Sequence, residues 1–166
     1  MATTSIIAKK IGKDKYRAIF CKYDGKLADN GWILSKYYTT PERVDQLLEL
    51  GDLYILGEKL SCAEKPGLGE RVTIAYARDR GEELCPAKEY NLGELYALEK
   101  PYLYIFVKED KWVYSGLGEL EADLREVKKA LKYLEDVDVE AYLLEDLEEE
   151  ELTEDTASSV EPTLKP

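Results

Sequence analysis

Charge is divided so unevenly along this chain that it decides which part can fold. Residues 133–166 hold thirteen acids, among them the run Glu148-Glu149-Glu150-Glu151, against Lys165 alone. That segment carries the whole formal net charge of -12. The first 132 residues are then balanced, with 22 acids and 22 bases. A segment dense in like charge and poor in apolar side chains cannot bury enough surface to offset the entropy of ordering it. The core must therefore come from the balanced part, which is an ordinary size for one domain. The expected organisation is a single domain over 1–135, an acidic helical or irregular extension over 136–149, and a disordered acidic tail over 150–166.

Within the balanced part, residues 9–26 are basic, with Lys9, Lys10, Lys13, Lys15, Arg17, Lys22 and Lys26 against Asp14 and Asp24. This segment and the acidic tail either attract each other or form two separate solvated surfaces. Exposed pairs of that kind are individually weak and screened by salt.

The local patterns predict two hairpins with helices between them. Thr3–Lys10 and Lys15–Tyr23 are rich in β-branched, aromatic and apolar residues, with Gly12-Lys13-Asp14 as turn chemistry and Asp24-Gly25 ending the second strand. Tyr102–Lys108 and Lys111–Tyr114, joined at Glu109-Asp110, predict the other hairpin. Trp32–Tyr38 reads as a short helix. Thr40-Pro41-Glu42 starts the next one, because threonine can cap free N–H groups and proline at the first position gives up no bond. Val44, Leu47 and Leu48 form its apolar stripe, and Gly51 is placed to end it. Leu53–Leu56 is a short apolar segment and Gly57–Glu70 a loop. Arg71–Arg78 fits a strand or a helix. Asn91 and Glu94 are spaced as a capping box for a helix through Leu98.

Leu117, Leu120, Leu124, Val127, Leu131 and Leu134 recur at steps of three and four, which predicts an amphipathic helix over 117–135. Packed on the domain's own sheet it would help close the core. As an exposed stripe it would be a docking or homodimer helix. The fold class expected is α+β, an antiparallel sheet built from two or more hairpins with helices on one face, then the C-terminal amphipathic helix and the acidic tail.

Chemistry is bounded first by what is missing. The chain has no histidine, which excludes imidazole bases and histidine-ligated metals. Cys21, Cys62 and Cys85 are widely separated, so they read as free thiols of a reducing compartment. No metal and no cofactor is expected. Ser115-Gly116-Leu117-Gly118 lies between a strand and a helix, where phosphate loops sit, but no Lys-Ser/Thr follows and Glu119 would repel phosphate, so a turn explains it better. Gly67-Leu68-Gly69 reads as a loop by the same argument.

Arg78-Asp79-Arg80-Gly81-Glu82-Glu83 is a dense charged cluster, and two neighbouring arginines can hold a phosphate or carboxylate through paired donors. The alternative is a local arginine–carboxylate network. Arg78, Asp79, Arg80, Tyr76 and Asp24 are the candidate ligand-binding residues, Asp24 being equally a simple turn residue. Glu148, Glu149, Glu150 and Glu151 are the candidate interaction residues. The basic hairpin with Tyr16, Phe20 and Tyr23 has the ingredients of a nucleic-acid surface, but a neutral domain with an acidic tail disfavours direct nucleic-acid binding. No apolar run approaches the ~18 residues of a membrane span, and the apolar stretch near the N-terminus is too short for a secretory signal.

Over about residues 3–83 the chain resembles a group of small uncharacterised bacteriophage and prophage proteins. The resemblance rests on Tyr16-Arg-Ala-Ile-Phe-Cys21, Asp24-Gly25, Gly31 with Leu34 and Tyr37, Val44 through Asp52, Leu56-Gly57 and, most specifically, Thr73 through Glu82. The chain has Lys22-Tyr23 where the group tends to have His-Trp, and Ala77 where it tends to have His. The resemblance implies a small accessory phage protein in the cytoplasm of a bacterial host, of the sort that binds a host factor or counters a defence system.

Three functions are then on the table. The first is a non-catalytic interaction protein that binds a host protein, its acidic tail competing with nucleic acid for a basic cleft. The second is a binder of a nucleotide-like signal, with Arg78, Arg80 and nearby tyrosines as the pocket. The third, an enzyme built from carboxylates, has no spaced acidic motif behind it and ranks last.

Overall fold

The computed structural model describes residues 2–116 and 124–134. Met1–Leu131 form one compact unit, and Lys132–Pro166 a second, of which 132–134 are described. The first unit is α+β. Its strands are β1 (Ser5–Gly12), β2 (Lys15–Cys21), β3 (Leu53–Ile55), β4 (Ile74–Ala75), β5 (Lys88–Tyr90), β6 (Tyr102–Lys108), β7 (Lys111–Ser115) and β8 (Arg125–Glu126). They form one open sheet in the order β4-β3-β2-β1-β6-β7-β8, with β5 also paired to β2. The helices are α1 (Trp32–Tyr37), α2 (Pro41–Glu49), α3 (Tyr76–Arg80) and α4 (Leu92–Ala97), and α5 comprises residues 127–134.

Both expected hairpins form. β1 pairs antiparallel with β2 from Ser5↔Cys21 to Gly12↔Lys15, and β6 pairs antiparallel with β7. The sheet as a whole is mixed rather than antiparallel. β1 runs parallel to β6 over Ser5↔Tyr102 to Lys9↔Phe106, and β2 runs parallel to β3. Turn chemistry governs only the strands that a turn joins, so the pairing between the two hairpins left no local mark. The burial pattern did leave one: Ser5 through Ala8 and Leu103 through Phe106 are buried without alternation, as strands covered on both faces must be.

The helices accordingly occupy two faces, not one. Ile33 and Leu34 of α1 and Val44, Leu47 and Leu48 of α2 pack with Ile7, Ile19, Tyr104, Phe106 and Trp112. On the opposite face Leu95 of α4 packs with Ile6, Ala8, Tyr16, Ala18, Leu103 and Ile105. Buried polar groups fasten these layers. The Trp112 indole donates to the Tyr38 carbonyl at 2.8 Å, and the Tyr38 hydroxyl donates to the Gly57 carbonyl at 2.7 Å.

The helix ends follow their sequence signals. Thr40 accepts from the Arg43 N–H with Pro41 at the first position of α2, and Gly51 adopts φ +76° just beyond it. Asn91 and Glu94 make a reciprocal capping box at α4. The ambiguous segment contains both elements, β4 and then α3.

The helix expected over 117–135 is not continuous. Residues 117–123 lie outside the described part, Arg125–Glu126 are extended and pair with β7, and helix begins only at 127. Leu124 packs on the α4 face while Val127 is buried on the α1–α2 face. Three steps along a helix return to the same side, but three steps along a strand cross to the other. Leu124 and Val127 of the expected stripe therefore lie on different faces, and Leu117 and Leu120 lie outside the described residues. Residues 136–166, with Glu148 through Glu151, also lie outside the described part.

Two outcomes follow from this core. Cys21 is buried while Cys62 and Cys85 are exposed, so a thiol reagent should modify two cysteines of the native protein rapidly and the third only on unfolding. Three fast thiols would contradict the burial of Cys21. Burial also pushes the Cys21 thiol from its ordinary 9.0 up to about 11, and the Tyr38 hydroxyl from 10.0 up to about 12. The folded state thus holds both protons more tightly than the unfolded chain. Denaturant midpoints should be insensitive to these groups below pH 9 and fall progressively between about pH 9 and 12.

Candidate functional site

Three tyrosines from separate elements meet beside the end of β2. Tyr54 lies in β3, where Leu53 is buried and its neighbour must point the other way. Tyr23 follows β2, and Tyr76 opens α3. The Tyr23 and Tyr54 rings are 5.0 Å apart at 81°, and the Tyr54 and Tyr76 rings 5.7 Å apart at 87°, both edge to face.

Two cations lie on this row of half-buried rings. Lys22 Nζ is 5.3 Å from the Tyr23 centroid and 5.9 Å from that of Tyr54. The Arg80 guanidinium is 4.3 Å from Tyr54 and 5.8 Å from Tyr76. Attraction of a cation to a ring face is worth about 0.5–1 kcal/mol at exposed sites. Lys22 makes no ion pair among the described residues. Arg80 donates through Nε to Glu82 at 3.1 Å, using one of its several N–H groups.

The loop that carries Lys22 and Tyr23 is tightly specified. The Asn30 side-chain amide donates to the Tyr23 carbonyl at 3.1 Å, the Asn30 backbone N–H to that of Asp24 at 3.0 Å, and the Tyr104 hydroxyl to that of Gly25 at 2.6 Å. Gly25 approaches the N-terminal strand so closely that a Cβ would stand 2.7 Å from the Thr3 carbonyl oxygen. Asp24 adopts φ 60° and accepts from Arg71 at 2.9 Å, while Arg71 also donates to the Leu56 carbonyl at 3.1 Å.

All five candidate ligand residues thus fall in one neighbourhood, but in different roles. Tyr76 and Arg80 belong to the ring–cation surface. Arg78 and Asp79 form the local network that was the alternative reading. The Arg78 Nε donates to both Asp79 oxygens at 2.9 and 3.1 Å, its Nη2 donates to the Thr73 carbonyl at 2.9 Å, and Asp79 accepts from the Ala75 N–H at 2.7 Å. Arg78 holds the Asp79 carboxyl below the usual carboxylate range. Asp24 is a fastening for the loop. Sequence reasoning assigned no binding role to Lys22, Tyr54 or Arg71. The one available signal was Tyr54, the single polar aromatic in an otherwise aliphatic short segment.

Among the described residues no group of three or more His, Cys, Asp or Glu side chains could hold a metal ion, and no helix is long and apolar enough to cross a membrane. Comparison of the chain with protein-family models, with curated proteins and with solved structures finds no match.

The division of roles is measurable by urea unfolding. Asp79→Ala removes an acceptor from the Ala75 N–H and the partner of Arg78, and should lower stability by about 1–2 kcal/mol. Lys22→Ala removes an exposed amine whose side-chain contacts are with ring faces, and should cost no more than about 0.5–1 kcal/mol. Comparable losses for the two would show that Lys22 is structural.

Proposed function

We propose that this chain is a non-catalytic binding protein whose recognition surface is the Lys22–Tyr23–Tyr54–Tyr76–Arg80 patch, taking a planar anionic group of nucleotide type. The observation that carries the reading is that two cations, one of them without an ion pair among the described residues, lie on the ring of Tyr54 between two further tyrosines. Rings supply stacking to a base, and Lys22 with the unused donors of Arg80 supply charge to a phosphate. The carboxylates around the patch, Asp24, Asp79 and Glu82, are each tied to an arginine, which supports binding rather than acid–base chemistry. The resemblance to phage accessory proteins agrees with a ligand-sequestering role, and the positions where the chain departs from that group's pattern, Lys22-Tyr23 and Ala77, lie in or beside the patch.

A second reading, a phage-type protein that binds a host factor and counters a defence system, is what the resemblance implies. The part assigned there to Glu148 through Glu151 rests on their charge in the sequence.

Calorimetric titration of the full chain with nucleoside monophosphates, dinucleotides and inorganic phosphate tests the first reading. Nucleotides should bind more tightly than phosphate alone, and Lys22→Ala with Arg80→Ala should weaken them at least ten-fold, about 1.4 kcal/mol. Absence of heat from every nucleotide at about 1 mM would exclude it.

A further inference from the structure

The ring that a base would stack on is already covered in the free protein. The Arg80 guanidinium lies over Tyr54 at 4.3 Å, and Lys22 Nζ lies over the same ring at 5.9 Å. Tyr23 and Tyr76 stand nearly perpendicular to it, at 81° and 87°. Arg80 is the nearer cation, and its flat group stacks well on an aromatic face. A base can take that face only after the guanidinium has moved.

Arg80 is placed to move. It is the last residue of α3, and Gly81 beyond it takes φ 70° with open space around it. Its one hydrogen bond among the described residues runs from Nε to Glu82 at 3.1 Å, and the two side chains are 43% and 50% exposed. Such a pair is weak and screened by salt. Arg43, Arg71 and Arg78 are held differently, each reaching a main-chain carbonyl as well as a carboxylate. Arg80 is thus the arginine near these rings that the scaffold does not need in one position.

We infer that Arg80 gates the patch by charge, closing the Tyr54 ring to uncharged planar molecules and opening it to those that carry a phosphate. The inference rests on the nucleotide reading and narrows it to phosphorylated nucleotides, excluding nucleosides and free bases. An uncharged base must displace the guanidinium and offers it nothing in return. A phosphate offers it paired acceptors of opposite charge, a stronger partner than a ring face. The movement that uncovers Tyr54 is then the same movement that makes the charged contact. Selectivity of this kind comes from a penalty on the wrong ligand as well as an attraction to the right one. Arg80 is a specificity-determining residue through its place over the ring, beyond the positive charge it shares with Lys22.

The test is a titration of the full chain, followed by NMR, with adenosine and with adenosine monophosphate. The parent should bind the monophosphate more tightly. Arg80→Ala should move the two ligands in opposite directions. It should weaken the monophosphate about three- to ten-fold, the loss of a charged hydrogen-bond partner at an exposed site. It should strengthen adenosine about two- to five-fold, the worth of a cation lifted from an exposed ring. A measurement on the parent alone needs no substitution. Excess inorganic phosphate should raise its affinity for adenosine by a similar factor over chloride at equal ionic strength, because phosphate draws the guanidinium off the ring. Weakening of both ligands by Arg80→Ala, no gain for adenosine, or phosphate without effect on adenosine would each overturn the gate and leave the nucleotide reading standing. No binding of the monophosphate to the parent would instead defeat that reading, and the gate with it.

Discussion

Three successive carbonyls, those of Tyr23, Asp24 and Gly25, leave the end of β2 and need donors inside the protein. The Asn30 side chain, the Asn30 backbone and the Tyr104 hydroxyl supply one each. A buried carbonyl without a donor costs about 1–3 kcal/mol, so these bonds together fix the loop in one conformation. Everything at the site inherits that conformation. Lys22 and Tyr23 meet β3 and α3 because of it, and Asp24 faces Arg71 because of it. The arrangement carries one imperfection: Asn30 donates to Ser5, Cys21 and Tyr23, but its Oδ1 has no partner among the described residues. An asparagine held so firmly by its amide hydrogens cannot turn over to satisfy that oxygen without breaking the bond that holds Tyr23.

Tyr104 can reach Gly25 only because β1 and β6 are parallel neighbours in the middle of a sheet covered on both faces. Parallel pairing at Ile7↔Tyr104 sets Tyr104 beside the start of β1, where the chain leaving β2 also arrives. An antiparallel junction of the two hairpins would reverse β6 and carry Tyr104 away from that end. The same two-sided covering explains why α1 and α2 lie opposite α4, and why Leu124 and Val127 serve different layers. The sheet pairing and the placement of the ring–cation patch are thus one geometric fact.

What could be read beforehand follows the range of the interaction. Thr40-Pro41, Gly51 and Asn91-Leu-Gly-Glu94 act within a turn of backbone, and each does what its chemistry requires. The hairpin turns are equally local. The parallel β1–β6 contact joins segments nearly a hundred residues apart and has no turn to announce it. The uninterrupted burial of Ser5 through Ala8 and of Leu103 through Phe106 reflects it, but apolar runs that short do not distinguish strand neighbours. The leucine spacing from 117 misled because steps of three and four satisfy a helix but do not exclude a strand that feeds two layers. At the site, residues 76–80 were found because the charge cluster is contiguous. Tyr54 and Arg71 were not, since their partners are set by the fold alone.

The arginines show how the chain separates architecture from recognition. Arg43, Arg71 and Arg78 each bridge a carboxylate and a main-chain carbonyl: Glu64 with Tyr37 and Glu58, Asp24 with Leu56, Asp79 with Thr73. Only a planar fork with several donors can hold both at once, so lysine could not replace them. Arg43 and Arg71 fasten the segment 56–79 to its surroundings, and Arg78 ties its end together internally. Arg80 departs from the pattern, since it binds a carboxylate through Nε and lies over two rings instead of reaching a carbonyl. Lys22 makes no ion pair among the described residues, and its ammonium group contacts ring faces instead. Around the ring–cation patch, positive charge is bound into the fold where guanidinium bridges backbone and carboxylate, and it faces the rings at Lys22 and Arg80. That division is why the cations of the ring–cation patch can be altered with little effect on the scaffold that presents them.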